Sequence, residues 1–251
     1  MRTLPIAFLG ALLCIAAPAP AAEDSDCGVA AHLVTADFPL PRVAAAIANK
    51  ELNIAVVGSA SSQLTAPNGK PEAYPVRLEA ALAKQLSGVK VKVVTHAMPR
   101  TTAEAMEKEI ERIVAADNPA LLIWQTGTVD AIRHVDPDVF RSAIEDGVEA
   151  VLAAKSDVVL MNAQYSPRTE SMIGLLPYAE AMRFVALQHE VPLFDRFAVM
   201  RQWGELGTFD LIEATKKMET AERVHHCIAE LLADLIVQAA KLTGTGARDS
   251  H

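Results

Sequence analysis

The chain has 251 residues, of which 51% are hydrophobic, 22% charged and 5% aromatic, a profile that excludes a disordered or fibrous protein. Lys and Arg number 23 against 31 Asp and Glu, a formal net charge of −8. With no basic cluster in the sequence, that balance argues against a nucleic-acid or anionic-membrane binder.

The first segment reads as an address. Met1 to about Ala22 has one basic residue (Arg2), an apolar run from Leu4 to Ala17, and a small-residue stretch from Ala16 to Ala22. This is the layout of a secretory signal with an Ala-x-Ala cleavage site, and the apolar run is short for a membrane span. Cleavage near Ala22 predicts residues 1–22 as signal peptide, 23–243 as a single domain without a membrane span, and 244–251 as a flexible tail. The mature protein is expected in the periplasm or outside the cell. Cys14 leaves with the signal, so two cysteines remain, Cys27 and Cys227. An even count in an oxidising compartment predicts a disulfide between the N-terminal arm and the last helix; the alternative is a pair of unpaired buried thiols.

Beyond the signal, 30–48 reads as an arm containing Pro39-Leu40-Pro41. Leu52 to Val57 is a short apolar run ending at Gly58, which predicts a buried parallel strand. Leu78, Ala81, Leu82 and Leu86 share one helical face over 74–86. Val89 to Val94 is a second strand, and 102–116 a second helix with Ala103, Met106, Ile110, Ile113 and Val114 as its stripe. Leu121 to Trp124 predicts the third strand, 138–154 a helix, Asp157 to Met161 the fourth strand, and 177–190 a helix opened by Pro177. Val191 to Phe194 is the fifth strand. The last helix, about 219–242, carries Val224, Cys227, Ile228, Leu231, Leu232, Leu235 and Ile236 on one face. Strands alternating with helices predict an α/β fold, a five-stranded parallel sheet covered on both faces.

In such sheets the site lies beyond the carboxyl ends of the strands. That directs attention to 58–62, 95–102, 127–130 and the segment ahead of the last helix. Ile54 to Ser59, Tyr74 to Leu78, Leu121 to Thr128, Asp157 to Tyr165 and Pro192 to Phe197, in that order and spacing, resemble an SGNH (GDSL-type) hydrolase. The resemblance spans nearly all of the mature chain. It implies a three-layer α/β/α sandwich of flavodoxin-like topology and a serine esterase, lipase or carbohydrate deacetylase ancestry.

The catalytic blocks depart from that pattern. The nucleophile's place falls on Ala60, in Gly58-Ser59-Ala60. The oxyanion glycine falls on Arg100, the oxyanion Asn on Val129, and the final Asp and His on Ala214 and Lys217. A serine needs a hydrogen-bonded base, and each lost oxyanion donor costs about 10²–10³ in rate. The reading that follows is a protein that has lost ester hydrolysis and acts as a binding or accessory protein, its partner an envelope glycan or an enzyme. The competing reading is an active esterase or deacetylase with a displaced nucleophile, Ser59 or Ser61. The bland alternative for these serines is to cap the next helix or bond turn amides, and for Asp130 to cap a helix. Ser59, Ser61, His96 and Arg100 are the candidate ligand-binding residues, unless Arg100 merely pairs with Asp130 or Glu104. His225 and His226 lie past the place of the family's base. No metal site or cofactor is expected, since no phosphate loop, Cys-x-x-Cys or His-Glu-x-x-His motif occurs.

Overall fold

The apolar runs become strands β1 (Glu51–Gly58), β2 (Lys90–Ala97), β3 (Leu121–Gln125), β4 (Asp157–Met161) and β5 (Leu193–Phe194) in a computed structural model, which describes residues 27–64, 71–212 and 218–242. They form one parallel sheet in the order β2-β1-β3-β4-β5, the flavodoxin-like order. Every residue of β3 and β4 is buried, as unbroken apolar runs require. Edge strand β2 is nowhere buried; its first four residues alternate exposed with half-buried. Among the described residues no helix is long and apolar enough to cross a membrane. The signal peptide, the tail, Ala214 and Lys217 lie outside the described residues.

The helices are α1 (Pro41–Ala48), α2 (Tyr74–Gln85), α3 (Ala103–Asp117), α4 (Thr128–Ile132), α5 (Pro137–Ala153), α6 (Pro167–Met172), α7 (Leu176–Gln188), α8 (Arg196–Leu206) and α9 (Met218–Lys241). Neighbours α3, α5 and α7 pack side by side as one helical layer, and α1 and α2 pack on α9 as the other. The predicted stripe of α9, Val224 to Ile236, is buried throughout.

The structure corrects the sequence reading in three places. The arm contains α1, because Asp157 reaches over to accept the N–H groups of Arg42 (2.8 Å) and Val43 (2.9 Å), satisfying orphan donors that Leu40 leaves uncapped. Burial pushes the Asp157 carboxyl up to about 6. Strand β2 runs on to Ala97, since β1 pairs with it in register from Glu51–Lys90 to Gly58–Ala97. Finally, α8 follows β5 directly. Its cap is Asp195, which accepts from the N–H of Ala198 at 3.0 Å, from Asn162 Nδ2 at 2.7 Å and from Arg183 Nη2 at 2.6 Å. Asn162 Oδ1 takes the N–H of Phe197 at 2.8 Å, so polar groups past β4 and β5 fix the start of α8 and with it Arg196.

Cys27 and Cys227 form the expected disulfide, with Cα atoms 5.0 Å apart and a sequence separation of 200. The arm is also held by the Ala30 N–H on Gln202 Oε1 (2.9 Å) and by Trp203 Nε1 on the carbonyl of Gly28 (3.3 Å).

Candidate functional site

The switch between β1 and β3 opens at Gly58, where the chain turns into a short 3-10 segment, Ala60–Ser62. Gly58 leaves room there: a Cβ would stand 2.1 Å from Ser62 Oγ and 3.2 Å from Gln125 Oε1, so the serine would have to shift. That close approach brings three hydroxyls to one amide. Gln125, fully buried at the end of β3, donates from Nε2 to Ser59 Oγ at 2.8 Å. Its Oε1 accepts from Ser62 at 2.8 Å and from Ser61 at 3.1 Å.

Arg196 completes the cluster from the far side of the sheet. It opens α8 beyond β5, lies only 1% exposed, and donates from Nη1 to Ser61 Oγ at 3.2 Å. A guanidinium only donates, so Ser61 accepts from Arg196 and gives its own proton to Gln125. Nε and Nη2 of Arg196 are buried and have no hydrogen-bond partner among the described residues. Burial pushes Arg196 down to about 10, partly opposed by Tyr74, which leaves it a cation at neutral pH. Tyr74 lies 3.3 Å from Ser62 Oγ, and burial raises its phenol against that hydrogen bond and the Arg196 charge. The Tyr74 N–H donates to His225 Nδ1 at 3.0 Å. An accepting Nδ1 leaves the proton on Nε2, and burial with the Arg196 and Arg77 charges holds His225 down to about 4. The imidazole is therefore neutral.

The polar turn stands on a recognisable scaffold. A model of the Non-GDSL lipase-like family matches residues 26–242. The chain belongs to that family. The Non-GDSL lipase-like chain is similar in fold to TesA, with 19% identity and a TM-score of 0.57 over 73% of this chain and 99% of that one. A lipase/acylhydrolase from Enterococcus faecalis aligns at 19% identity and a TM-score of 0.56, covering 74% of this chain and 94% of its own. LAE5, an alpha/beta hydrolase enzyme from the metagenome of Lake Arreo, Spain, aligns at 14% and 0.57, covering 75% and 96%. A search of curated proteins finds no match. The fold is that of the SGNH/GDSL hydrolases.

In this lipase-like chain Ala60 is exposed at the start of the 3-10 segment. Arg100 is exposed with φ +63°, a left-handed conformation that glycine adopts most easily, at the position where the resemblance expects a glycine. Its carbonyl accepts from Arg133 Nη2 at 2.9 Å. The expected pairing of Arg100 with Asp130 or Glu104 does not form. Buried Asp130 instead accepts the N–H of Ala103 (2.9 Å) and the hydroxyl of Thr126 (3.3 Å), so it caps α3 from outside that helix. Glu104 is taken by Lys108. Val129 sits half-buried in α4 and offers no side-chain donor.

Of the four candidate ligand residues, the structure brings Ser59 and Ser61 together and leaves His96 and Arg100 out of their network. His96 Nε2 lies 2.5 Å from Asp117 Oδ2 at the end of α3. Ser59 precedes the 3-10 segment without capping it; its hydroxyl belongs to Gln125. Sequence reasoning passed over Gln125, Ser62, Tyr74 and Arg196. The available signal was a polar or charged residue directly after a buried strand, as in Trp124-Gln125 and Phe194-Asp195-Arg196, where a solvated loop residue is the ordinary expectation.

Proposed function

We propose that this Non-GDSL lipase-like protein is exported, has lost ester hydrolysis through a serine nucleophile, and works in the cell envelope as a binding or accessory protein for a glycan or a partner enzyme. The supporting observation is the bonding of the three serines at the β1 turn. Their hydroxyls are engaged by Gln125, Arg196 and Tyr74, and among the described residues none is bonded to an imidazole or a carboxylate. A serine with no group to take its proton is a weak nucleophile. Ala60, exposed beside them, carries no nucleophile at all. The signal-like first 22 residues and the disulfide support export.

One observation favours the competing reading of a displaced nucleophile. Arg196 donates to Ser61 Oγ, and a buried cation there would stabilise an alkoxide. The test is the oxidised protein challenged with p-nitrophenyl acetate and with a fluorophosphonate probe, followed by intact-mass analysis. The binding reading expects no turnover above background and no adduct. A single adduct that disappears in Ser61→Ala or Ser59→Ala would replace it with the esterase.

A further inference from the structure

We propose that the Nε–Nη2 edge of Arg196 receives a carboxylate group of a bound ligand. The inference rests on the binding reading above and names the ligand chemistry of the same cluster. A guanidinium presents two forks. Here Nη1 is engaged by Ser61, while Nε and Nη2, which share the other edge, are buried and without a hydrogen-bond partner among the described residues. Two parallel N–H groups on one planar edge match the two oxygens of a carboxylate.

Three features separate this from an ordinary core arginine. A buried cation is normally paired, because desolvation otherwise costs far more than a hydroxyl returns; among the described residues the one hydrogen-bond partner of the Arg196 guanidinium is the neutral Ser61 oxygen. Its electrostatic neighbours do not neutralise it either, since the Tyr74 phenol has its pKa raised by burial and His225 is the base form of an imidazole. Finally, the cation stands at the carboxyl edge of the sheet, where this architecture places its ligands. Ser61 is half-buried and Ala60 exposed, so the turn is the part of the cluster nearest to solvent. The enclosure of Arg196 favours the smallest planar oxoanion over a tetrahedral phosphate.

The test uses the protein with its disulfide intact, titrated with sodium acetate, with sodium phosphate, and with sodium chloride at matched ionic strength. Thermal unfolding and calorimetry provide the readouts. The expected result is a saturable rise in Tm with acetate that chloride does not reproduce. Arg196→Lys keeps the charge and loses the fork, and should weaken acetate at least tenfold. Arg196→Met should abolish the acetate response and, without ligand, unfold at the same or a higher temperature, because an unpaired buried charge has been removed. A purely structural arginine would instead give a lower Tm and an unchanged acetate response in Arg196→Lys. If Arg196→Met does not fold, Arg196→Lys decides alone. No saturable acetate response, one that survives Arg196→Lys, or a stronger response to phosphate would each overturn the carboxylate assignment. A fluorophosphonate adduct at Ser61 would overturn the binding reading by a separate measurement, leaving the acetate titration to be judged on its own.

Discussion

Reducing the Cys27–Cys227 bond should lower stability by an amount set mainly by the unfolded chain. The bond closes a loop of sequence separation 200. In the chain-entropy model a loop of that length removes about 18 cal/mol/K from the denatured ensemble, or about 5 kcal/mol at 25 °C. For a domain of this size each kcal/mol moves Tm by about 2–4 °C, so the model's ceiling is about 10–20 °C. Residual structure in the reduced denatured chain trims that figure, and about 10 °C is the expected loss. The native arm should stay docked, because Ala30 on Gln202 and Trp203 on Gly28 do not depend on the bond. The assay compares urea and thermal unfolding of the oxidised protein, the same protein under reductant, and the Cys27→Ala/Cys227→Ala double variant. Near-ultraviolet circular dichroism checks that the native packing is unchanged. Reduction should also raise the urea m-value, since the released chain exposes more surface. A Tm loss under about 3 °C in both reduced forms would refute the loop-closure account.

Gly147→Ala sets a gain of about 1 kcal/mol in helix propensity against a Cβ placed 2.3 Å from Trp124 Cζ3 and 2.7 Å from Cη2. The fully buried indole gives way poorly, so a net loss of about 1–3 kcal/mol in urea unfolding is expected, and a neutral variant would mean that β3 and α5 can separate freely. Gly58→Ala must displace the Ser62 hydroxyl from Gln125, which predicts a loss of about 1–3 kcal/mol; unchanged stability would show that the serine network is loose. Two buried groups should tilt the pH profile in opposite directions. Asp157, raised by burial to about 6, contributes stability that is full below about 4 and lost as pH rises through 6. His225, lowered to about 4, contributes stability present above about 6.5 and lost as pH falls through 4. Each slope is at most about 1.4 kcal/mol per pH unit between pH 4 and 6. Asp157→Asn should therefore make stability fall more steeply on acidification, and His225→Gln should make it rise. Parallel profiles in all three proteins would refute these shifts.

The sheet was legible in the sequence because its strands carry their own signal. Leu121 to Trp124 and Asp157 to Met161 are apolar runs too short for helices, and both lie wholly buried. Helix α9 showed itself through its stripe from Val224 to Ile236. Helices whose starts depend on distant residues were hidden. Nothing near Pro41 announces that Asp157, more than a hundred residues on, will accept its first N–H groups. The start of α8 likewise depends on Asn162, on another strand. The site divided in the same way. Ser59 and Ser61 were visible from the turn after β1. Arg196, which meets Ser61 across the sheet, has a sequence neighbourhood that looks like any loop following a strand. His96, which the sequence places after the second strand, lies within β2 because that strand runs on to Ala97, and its partner is Asp117 at the end of α3.

The proton economy of the cluster bears directly on what it can do. Ser61 and Ser62 both give their protons to Gln125 Oε1, an amide oxygen that accepts hydrogen bonds and does not serve as a base at neutral pH. Arg196 supplies donors only. The imidazole of His225 lies near this cluster, and its Nδ1 is occupied by the Tyr74 N–H. Acyl transfer needs a hydroxyl whose proton can leave and later return to a leaving group; the proposed loss of hydrolysis rests on these serines being bonded to an amide, a guanidinium and a phenol among the described residues. Recognition needs less: an unfilled donor edge, a fixed orientation and a neutral surround that leaves the charge unanswered. Ser61 and the capped start of α8 supply the orientation, and the Nε–Nη2 edge supplies the donors. A fold that holds a cation at 1% exposure with a neutral hydroxyl as its hydrogen-bond partner among the described residues bears a stability cost, which on the carboxylate proposal a bound anion offsets.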